Sequence, residues 1–448
     1  MSIFTQLNTI LQESKAAYEE AKAGVFVESE AYGPANKEAQ LSLLWTPEEP
    51  RQLGTNNQLA IGDNVAYMRY LAEEKQLAGK IQLIYVDPPF YSGANYRSSI
   101  KLGKDEKISL PAYKDKWAQG LEEYLTMLCT RILLMKDLLS DTGCFWIHLD
   151  WHVVHYVKIL LDEIFGEKNF VNEIIWQYKS GGTGKRHFSR KHDTLLFYSK
   201  TKQYKLNLGK EKSYNRGYKP YRFKGVKEYE DDLGWYTLVN QKDVWQIDMV
   251  GRTAKERTGY ATQKPEALLQ RIVESCSEKG DLCADFFGGS GTLAAVCNKL
   301  EREFLVCDIG EGAIETAAER LRAGDAIFSL LRQEGSQSFC GEVVLEKTDT
   351  HISLKEYVPS IEALSLDSEG EATIKQALEK DPLALISAWS VDFCYQNKVH
   401  RPQVRFERSG GELVSHCPLA RARESTLTGD VISVKVVDIF GKSKRIEL

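Results

Sequence analysis

The chain has 448 residues, 43% hydrophobic and 27% charged, with a net charge of −5. That size supports two or three domains with a large buried core, and the composition is that of a globular protein. No apolar run approaches the roughly 20 residues that would span a bilayer, and the N-terminal stretch reads as an amphipathic helix and not as a signal peptide. Nine cysteines, an odd number without a C-x-x-C pair, argue against a disulfide framework or a zinc site. A reducing cytoplasm is the expected compartment.

Residues 1–55 read as a helix followed by an irregular lead-in. Gln58-Leu59-Ala60-Ile61 is a short strand closed by the turn Gly62-Asp63-Asn64, and a helix covers Val65–Lys75. The apolar run Leu83-Ile84-Tyr85-Val86 is a buried strand that stops at Asp87. After a loop from Tyr91 to Lys116, apolar residues at helical spacing predict a helix over Leu121–Leu139. Cys144–His148 is a strand, His152–Phe165 a helix, and Phe170–Trp176 and Thr194–Tyr198 are further strands. A helix opens at Pro265 and runs to Cys276. Leu282–Phe286 is a strand, the turn 288–291 opens a helix through Leu300, and Phe304–Cys307 is the next strand. Strands alternating with helices in this way predict an α/β fold with a doubly wound, mostly parallel sheet. Residues 342–381 carry ten acids against four bases. The texture changes there, and the last hundred residues predict a small separate α+β unit ending in the strand Val431–Ile439.

Two strand ends carry the chemistry. At Asp87-Pro88-Pro89-Phe90 the prolines restrict the backbone and contribute carbonyl acceptors without N–H donors. A carboxylate, a fixed carbonyl and an aromatic face meeting at one point suit an exocyclic amino group on a planar base. At Asp285-Phe286-Phe287-Gly288-Gly289-Ser290-Gly291-Thr292 the glycines allow close approach to a ligand, and the helix N-terminus favours an anion. Asp308, at the end of the following strand, stands where an acid binds ribose hydroxyls. The turn lacks G-x-G-x-x-G and G-K-[ST]. A carboxylate joined to a nucleoside fits better than a pyrophosphate, and S-adenosylmethionine has both.

Between Gln177 and Lys227 there are fifteen Lys or Arg against only Asp193 and Glu211, a local balance of +13 in an acidic chain. Aromatic residues interleave with them. Lys179, Lys185, Arg186, Arg190, Lys191, Arg216, Lys219, Arg222 and Lys224 are therefore candidate phosphate contacts. Gly181–Arg186 reads as a basic loop near DNA, and His192-Asp193 as a structural polar pair at a strand start.

These segments resemble the amino-methylating DNA methyltransferases that act on adenine N6 or cytosine N4, in the permuted (beta-type) subgroup whose catalytic half precedes the cofactor loop. Asp87–Phe90 is similar to the family's D-P-P-[YF] motif, and Gly289–Thr292 match the end of its D-x-F-x-G-S-G-T loop. Thr262-Gln263-Lys264-Pro265-Glu266 is similar to its T-Q-K-P-E segment, and Gly62-Asp63-Asn64 to its G-D-N turn. The likeness covers roughly residues 56–325. Phe90 replaces the commoner tyrosine, and Tyr91 stands where asparagine is frequent.

The resemblance implies a seven-stranded Rossmann-like sheet with S-adenosylmethionine as cofactor and no metal. It implies catalytic roles for Asp87, Pro88, Pro89 and Phe90. Cofactor contacts would come from Asp63, Lys264, Pro265, Asp285, Phe287, Gly288, Gly289, Ser290, Gly291, Thr292 and Asp308. Lys264 and Pro265 would line the methionine end and Asp63 the adenine. The expected division is a lead-in over 1–55, a catalytic half over 56–176, target recognition over 177–260, a cofactor half over 261–330 and an accessory unit over 336–448. The aspartate at motif position one points to adenine N6 in double-stranded DNA. Cytosine N4 and a non-catalytic DNA-binding subunit are the alternatives. A restriction nuclease and a second copy of the chain are further partners of such enzymes. A methylase acting on RNA or a protein amide, or a nicotinamide dehydrogenase, fits the motifs less well. Trp389, Asp392, Cys394 and His400 read as core and surface residues.

Overall fold

Burial along the strand Ile81–Val86 sets the architecture. All six residues are buried, with Leu83 and Tyr85 packing into one apolar cluster and Ile84 and Val86 into another. Alternation of this kind means that both faces of the strand are covered, which is the condition of a parallel sheet between two helix layers. The computed structural model describes residues 3–33, 56–102, 106–118, 120–179, 186–335, 341–361, 366, 368–409, 411–419 and 431–448.

The central sheet has ten described strands: β1 (Phe26–Tyr32), β2 (Gln58–Ile61), β3 (Ile81–Val86), β4 (Leu139–Leu149), β5 (Phe170–Gln177), β6 (His192–Ser199), β7 (Val244–Gln246), β8 (Leu282–Asp285), β9 (Glu303–Asp308) and β10 (Phe328–Gln333). Their order is β1-β10-β2-β9-β8-β3-β4-β6-β5-β7. The run from β10 to β4 is parallel, while β6 pairs antiparallel with both β4 and β5. The expected doubly wound sheet is present, with ten strands where seven were expected.

Helices α1 (Ile3–Glu20), α2 (Asn64–Glu73), α3 (Leu121–Leu138) and α4 (Val154–Phe165) contribute to the cluster that holds Ile84 and Val86. Helices α5 (Glu266–Cys276), α6 (Thr292–Lys299) and α7 (Glu311–Ala323) contribute to the opposite one.

Three expectations change. The lead-in contains β1, which pairs antiparallel with β10. Its sequence hides it, because Glu30 is buried in an otherwise apolar strand end. The stretch read as a loop from Tyr91 to Lys116 holds an antiparallel hairpin, Asn95–Leu102 with Glu106–Lys114, masked in sequence by its charges and by Pro111. The C-terminal unit does not end near Ile439, since Ser433–Asp438 pairs with a further strand, Ser443–Glu447.

The C-terminal unit packs its own core around Trp389, Tyr357 and Val436. It joins the central sheet at β1: the His400 N–H donates to the Ser29 carbonyl at 3.0 Å, and the Ala31 N–H to the His400 carbonyl at 3.2 Å. Lys435, 3% exposed, lies 2.5 Å from Glu30 and 3.4 Å from Glu315. His400 is buried between the Ser390 and Ser433 hydroxyls.

Candidate active site

β3 and β8 are adjacent and parallel, with Leu83 opposite Cys283 and Ile84 opposite Ala284. Asp87 and Asp285 therefore leave the sheet at the same edge, the C-terminal one, where open α/β sheets bind ligands. A cavity of about 1790 Å³ opens there. Asp87, Pro88, Pro89 and Phe90 line it, and so do Asp63, Lys264, Asp285, Phe287, Gly288, Gly289, Ser290, Thr292 and Asp308. Two expected cofactor residues stand behind the wall. Pro265 is the N-cap of α5, and Gly291 is the left-handed N-cap of α6. A Cβ at Gly291 would meet the Ala317 Cβ at 2.5 Å, so this glycine lets α6 approach α7 and does not face the cavity.

Asp87 sits between two nitrogen donors. Lys264 Nζ bonds its Oδ2, and His148 Nδ1 stands 3.3 Å from Oδ1. The Oδ1 atom is buried and has no hydrogen bond of satisfactory geometry. Burial alone would push the Asp87 carboxyl up, but the Lys264 ammonium and His148 outweigh it and hold the group below the ordinary carboxylate range. Lys264 therefore belongs as much to the carboxylate as to the expected cofactor end. Phe90 presents its ring to the cavity, with the Lys264 Nζ 5.4 Å from the ring centroid.

The glycine turn is held from outside. The Gly289 N–H, at φ +48°, donates to Asp308 Oδ2 at 2.8 Å, and the Gly310 N–H donates to Oδ1 at 2.7 Å. Asp308 thus ties two turns together while lining the cavity. A Cβ at Gly288 would meet Val306 Cγ1 at 2.2 Å, so only glycine allows the turn to lie on β9. Asp285 accepts from the Phe287 N–H at 2.9 Å. Burial pushes its carboxyl up to about 8, which leaves it protonated at neutral pH. Asp63 caps α2 through the Ala66 N–H at 3.0 Å and lies 3.5 Å from the Arg131 guanidinium.

Sequence reasoning missed several contributors. Asp115, 1% exposed, accepts from the Tyr91 N–H at 3.0 Å, the Ser92 N–H at 2.7 Å and the Trp117 indole at 3.1 Å, which fixes the chain leaving Phe90. Tyr91 itself has φ +58°, a conformation asparagine adopts more readily than tyrosine, and nothing in the structure explains the departure noted at this position. His148 was placed on a strand but given no role. Asp193 faces His148 at 3.1 Å, while His192 is exposed, so the expected His192-Asp193 pair is replaced by a pair across strands. Arg252 and Arg257 reach the cavity wall, although the basic run had been drawn further upstream.

None of the described candidate phosphate contacts is among the residues that line the cavity. Lys179, Arg186, Arg190 and Lys191 flank the connection between β5 and β6, and Arg190 stacks on Trp151 at 3.9 Å. Arg216, Lys219, Arg222 and Lys224 are exposed beside a small sheet, Lys210–Tyr214, Glu228–Asp231 and Gly234–Asn240. Phe188 and Phe223 are 98% and 62% exposed among them. Lys185 and the glycines of 181–184 fall outside the described residues.

A family model for DNA methylases matches residues 81–319. The type II methyltransferase M.HpaI of Haemophilus parainfluenzae is 30% identical over 242 residues, covering 54% of this chain and 68% of that protein. M.EcaI of Enterobacter cloacae, also a type II methyltransferase, is 28% identical over 324 residues, covering 59% and 69%. Among solved structures, the M1.HpyAVI–SAM complex aligns at TM-score 0.38 and 19% identity, covering 59% of this chain and 98% of that one. The cytosine-N4-specific PvuII DNA methyltransferase aligns at TM-score 0.41 and 16% identity, covering 59% and 86%. With the family model spanning more than half its length, the chain belongs to the N6/N4 DNA methylase family and is a DNA amino-methyltransferase.

Proposed function

We propose that this enzyme transfers a methyl group from S-adenosylmethionine to the N6 amino group of an adenine flipped out of double-stranded DNA. The observation that carries the reading is the buried, incompletely bonded Oδ1 of Asp87 in the cavity that the glycine turn also lines. Sites for small molecules commonly enclose about 300–1,000 Å³. This one, at about 1790 Å³, runs from the two strand ends to Arg408 and Phe440 of the C-terminal unit, and we assign its strand-end part to the cofactor and the base.

The residues present fit S-adenosylmethionine. Gly288, Gly289 and Ser290 would hold it at the turn, Asp308 and Asp63 at its nucleoside, and Lys264 beside its reactive end. When bound, it supplies an electrophilic methyl group on a cationic sulfur. The protein's part is to prepare the amine. Flipping a base costs a few kcal/mol, and stacking on Phe90 offsets about 1–3 kcal/mol of it. Asp87 accepts one amino hydrogen and the Pro88 carbonyl the other, which draws nitrogen toward a tetrahedral geometry and frees its lone pair for in-line attack. As the N–C bond formed, the methyl carbon's bond to sulfur would break and leave its electron pair on a neutral thioether, and one amino N–H bond would give its electron pair to nitrogen and its proton to Asp87. Holding the partners in line supplies much of the acceleration.

We assign the division of labour accordingly: residues 56–176 prepare the base, 261–330 bind the cofactor, and the basic stretches within 177–260 read the DNA, with 336–448 accessory. Asp87→Ala is expected to abolish methylation while cofactor and DNA binding persist. Near wild-type turnover would refute the role. Nucleoside analysis of the methylated DNA decides the base: N6-methyladenine is expected, and N4-methylcytosine would overturn the choice of adenine.

A further inference from the structure

We propose that His148 is a positioning residue for Asp87, holding that carboxylate's orientation and charge through a buried chain that runs to Asp193 and Tyr178. The inference rests on the role given above to Asp87.

The geometry is specific. His148 is fully buried, with Nδ1 3.3 Å from Asp87 Oδ1 and Nε2 3.1 Å from Asp193 Oδ2. The Tyr178 hydroxyl donates to Asp193 Oδ1 at 3.1 Å, and the Tyr85 hydroxyl lies 3.3 Å from His148 Nδ1. Phe90 and Trp176 pack edge-on against the imidazole, each with ring centroids 5.3 Å away. Three strands supply the parts. Tyr85 comes from β3, His148 from β4 and Asp193 from β6, while Asp87 directly follows β3 and Tyr178 directly follows β5. Lys264 approaches from before α5 and occupies the other oxygen of Asp87.

A neutral imidazole that gives its one proton to Asp193 would turn a lone pair toward Asp87 Oδ1. The Tyr85 hydroxyl, 3.3 Å away, can donate to that lone pair, but Asp87 Oδ1 would then face an uncharged ring at 3.3 Å with no charge to hold it. An imidazolium keeps the bond to Asp193 and sets its positive charge 3.3 Å from Asp87 Oδ1, and with Lys264 it makes a buried set of two cations and two anions. Burial and the Lys264 charge push His148 down, and the hydrogen bond to Asp193 and the proximity and charge of Asp87 more than reverse that, so its pKa stands above the ordinary value. A buried histidine kept only for packing has no need of a second carboxylate. Here the second one is held by Tyr178, whose N–H bonds the Lys191 carbonyl at 3.0 Å at the base of the basic connection between β5 and β6. The chain from Asp87 therefore ends where the proposed DNA-reading segment leaves the sheet.

The test is single-turnover methylation of unmethylated genomic DNA by the full-length enzyme at saturating S-adenosylmethionine, from pH 6 to 9. His148→Ala is expected to slow transfer about 10–100-fold, the usual effect of a small misplacement of a catalytic group. Cofactor affinity should stay within about twofold of wild type, since His148 acts on Asp87. His148→Gln, which keeps a donor that does not titrate, should recover part of the rate and lose the decline that the wild type shows as His148 deprotonates. Asp193→Asn removes one of the two anions that hold the proton, so that decline should move to lower pH; this variant also serves if the alanine variant does not fold. A wild-type rate in His148→Ala, or an unmoved decline in Asp193→Asn, overturns the proposal. If Asp87→Ala is inactive while the His148 and Asp193 variants behave as wild type, only the positioning role fails. If Asp87→Ala is active, the underlying reading fails as well.

Discussion

Lys264 Nζ rests on Oδ2 of Asp87, a contact between residues 177 positions apart in the chain. It joins the segment ahead of α5 to the proline-stiffened end of β3, so the two halves of the site share one ion pair. Asp87 is consequently held below the usual carboxylate range, in spite of a burial that would raise it. A carboxyl depressed on folding stabilises the protein above its unfolded pKa, and that contribution is lost as pH falls through the folded value. Lys264→Gln removes the charge that does most to lower it. The acid limb of the pH–rate profile should move to higher pH, and acid unfolding should begin at higher pH. An acid limb that stays where it is would show that Lys264 does not set the state of Asp87.

Asp285 has the opposite linkage. Its carboxyl is pushed up to about 8 by burial, against an unfolded value near the ordinary 3.8. Between those values the folded state keeps a proton that the unfolded chain has lost, so this group makes stability fall as pH rises from about 4 to 8. Asn at 285 can still accept from the Phe287 N–H and cannot ionise. Thermal melts of Asp285→Asn should therefore lose less than wild type between pH 6 and 9. Parallel curves would mean that Asp285 is ionised in the native protein.

Both ends of this site were legible in the sequence because backbone chemistry writes them there. Proline after Asp87 leaves few conformations, glycine at 288 and 289 marks a turn that a side chain would obstruct or strain, and the apolar runs ahead of them fix which strands they end. The groups around Asp87 were not legible. His148, Asp193 and Asp115 come from a strand interior, a strand start and a loop, and only strand order brings the first two together. Sequence spacing carries no record that β6 returns between β4 and β5. The same holds for β1, whose buried Glu30 reads as a surface residue until its partner Lys435, some four hundred positions later, is in place.

Asp115 illustrates support that lies one step from the chemistry. It accepts from the Tyr91 and Ser92 N–H groups and from the Ser92 hydroxyl, the last at 2.7 Å. Removing it strands those donors in a half-buried turn just after Phe90. Asp115→Ala should cost about 2–4 kcal/mol, judged from the penalty for unsatisfied buried groups. It should also slow single-turnover methylation by about 10-fold or more, because the ring of Phe90 loses its fixed backbone. Denaturant unfolding and product formation measure the two separately, and normal turnover in a destabilised protein would confine Asp115 to folding.

The C-terminal unit is anchored by charge as well as by backbone pairing. Lys435 lies between Glu30 of β1 and Glu315 of α7, and Arg322 and Arg405 stand 2.6 Å and 3.1 Å from the same Glu315 oxygen. Burial opposes all these charges, but their mutual attraction keeps Glu30 and Glu315 low and Lys435 high. Breaking a buried pair by removing one member leaves a charge without compensation and commonly costs about 3–5 kcal/mol. Glu315 keeps two arginines in direct contact when Lys435 is lost, whereas among the described residues Glu30 keeps the Tyr32 hydroxyl and no cation in ion-pair contact. The damage in Lys435→Met should therefore fall on β1 and its edge of the sheet. Adding Glu30→Gln should return most of the lost stability, since the amide needs no counter-charge. If the double variant is no more stable than Lys435→Met alone, the carboxylate of Glu30 is not what Lys435 neutralises.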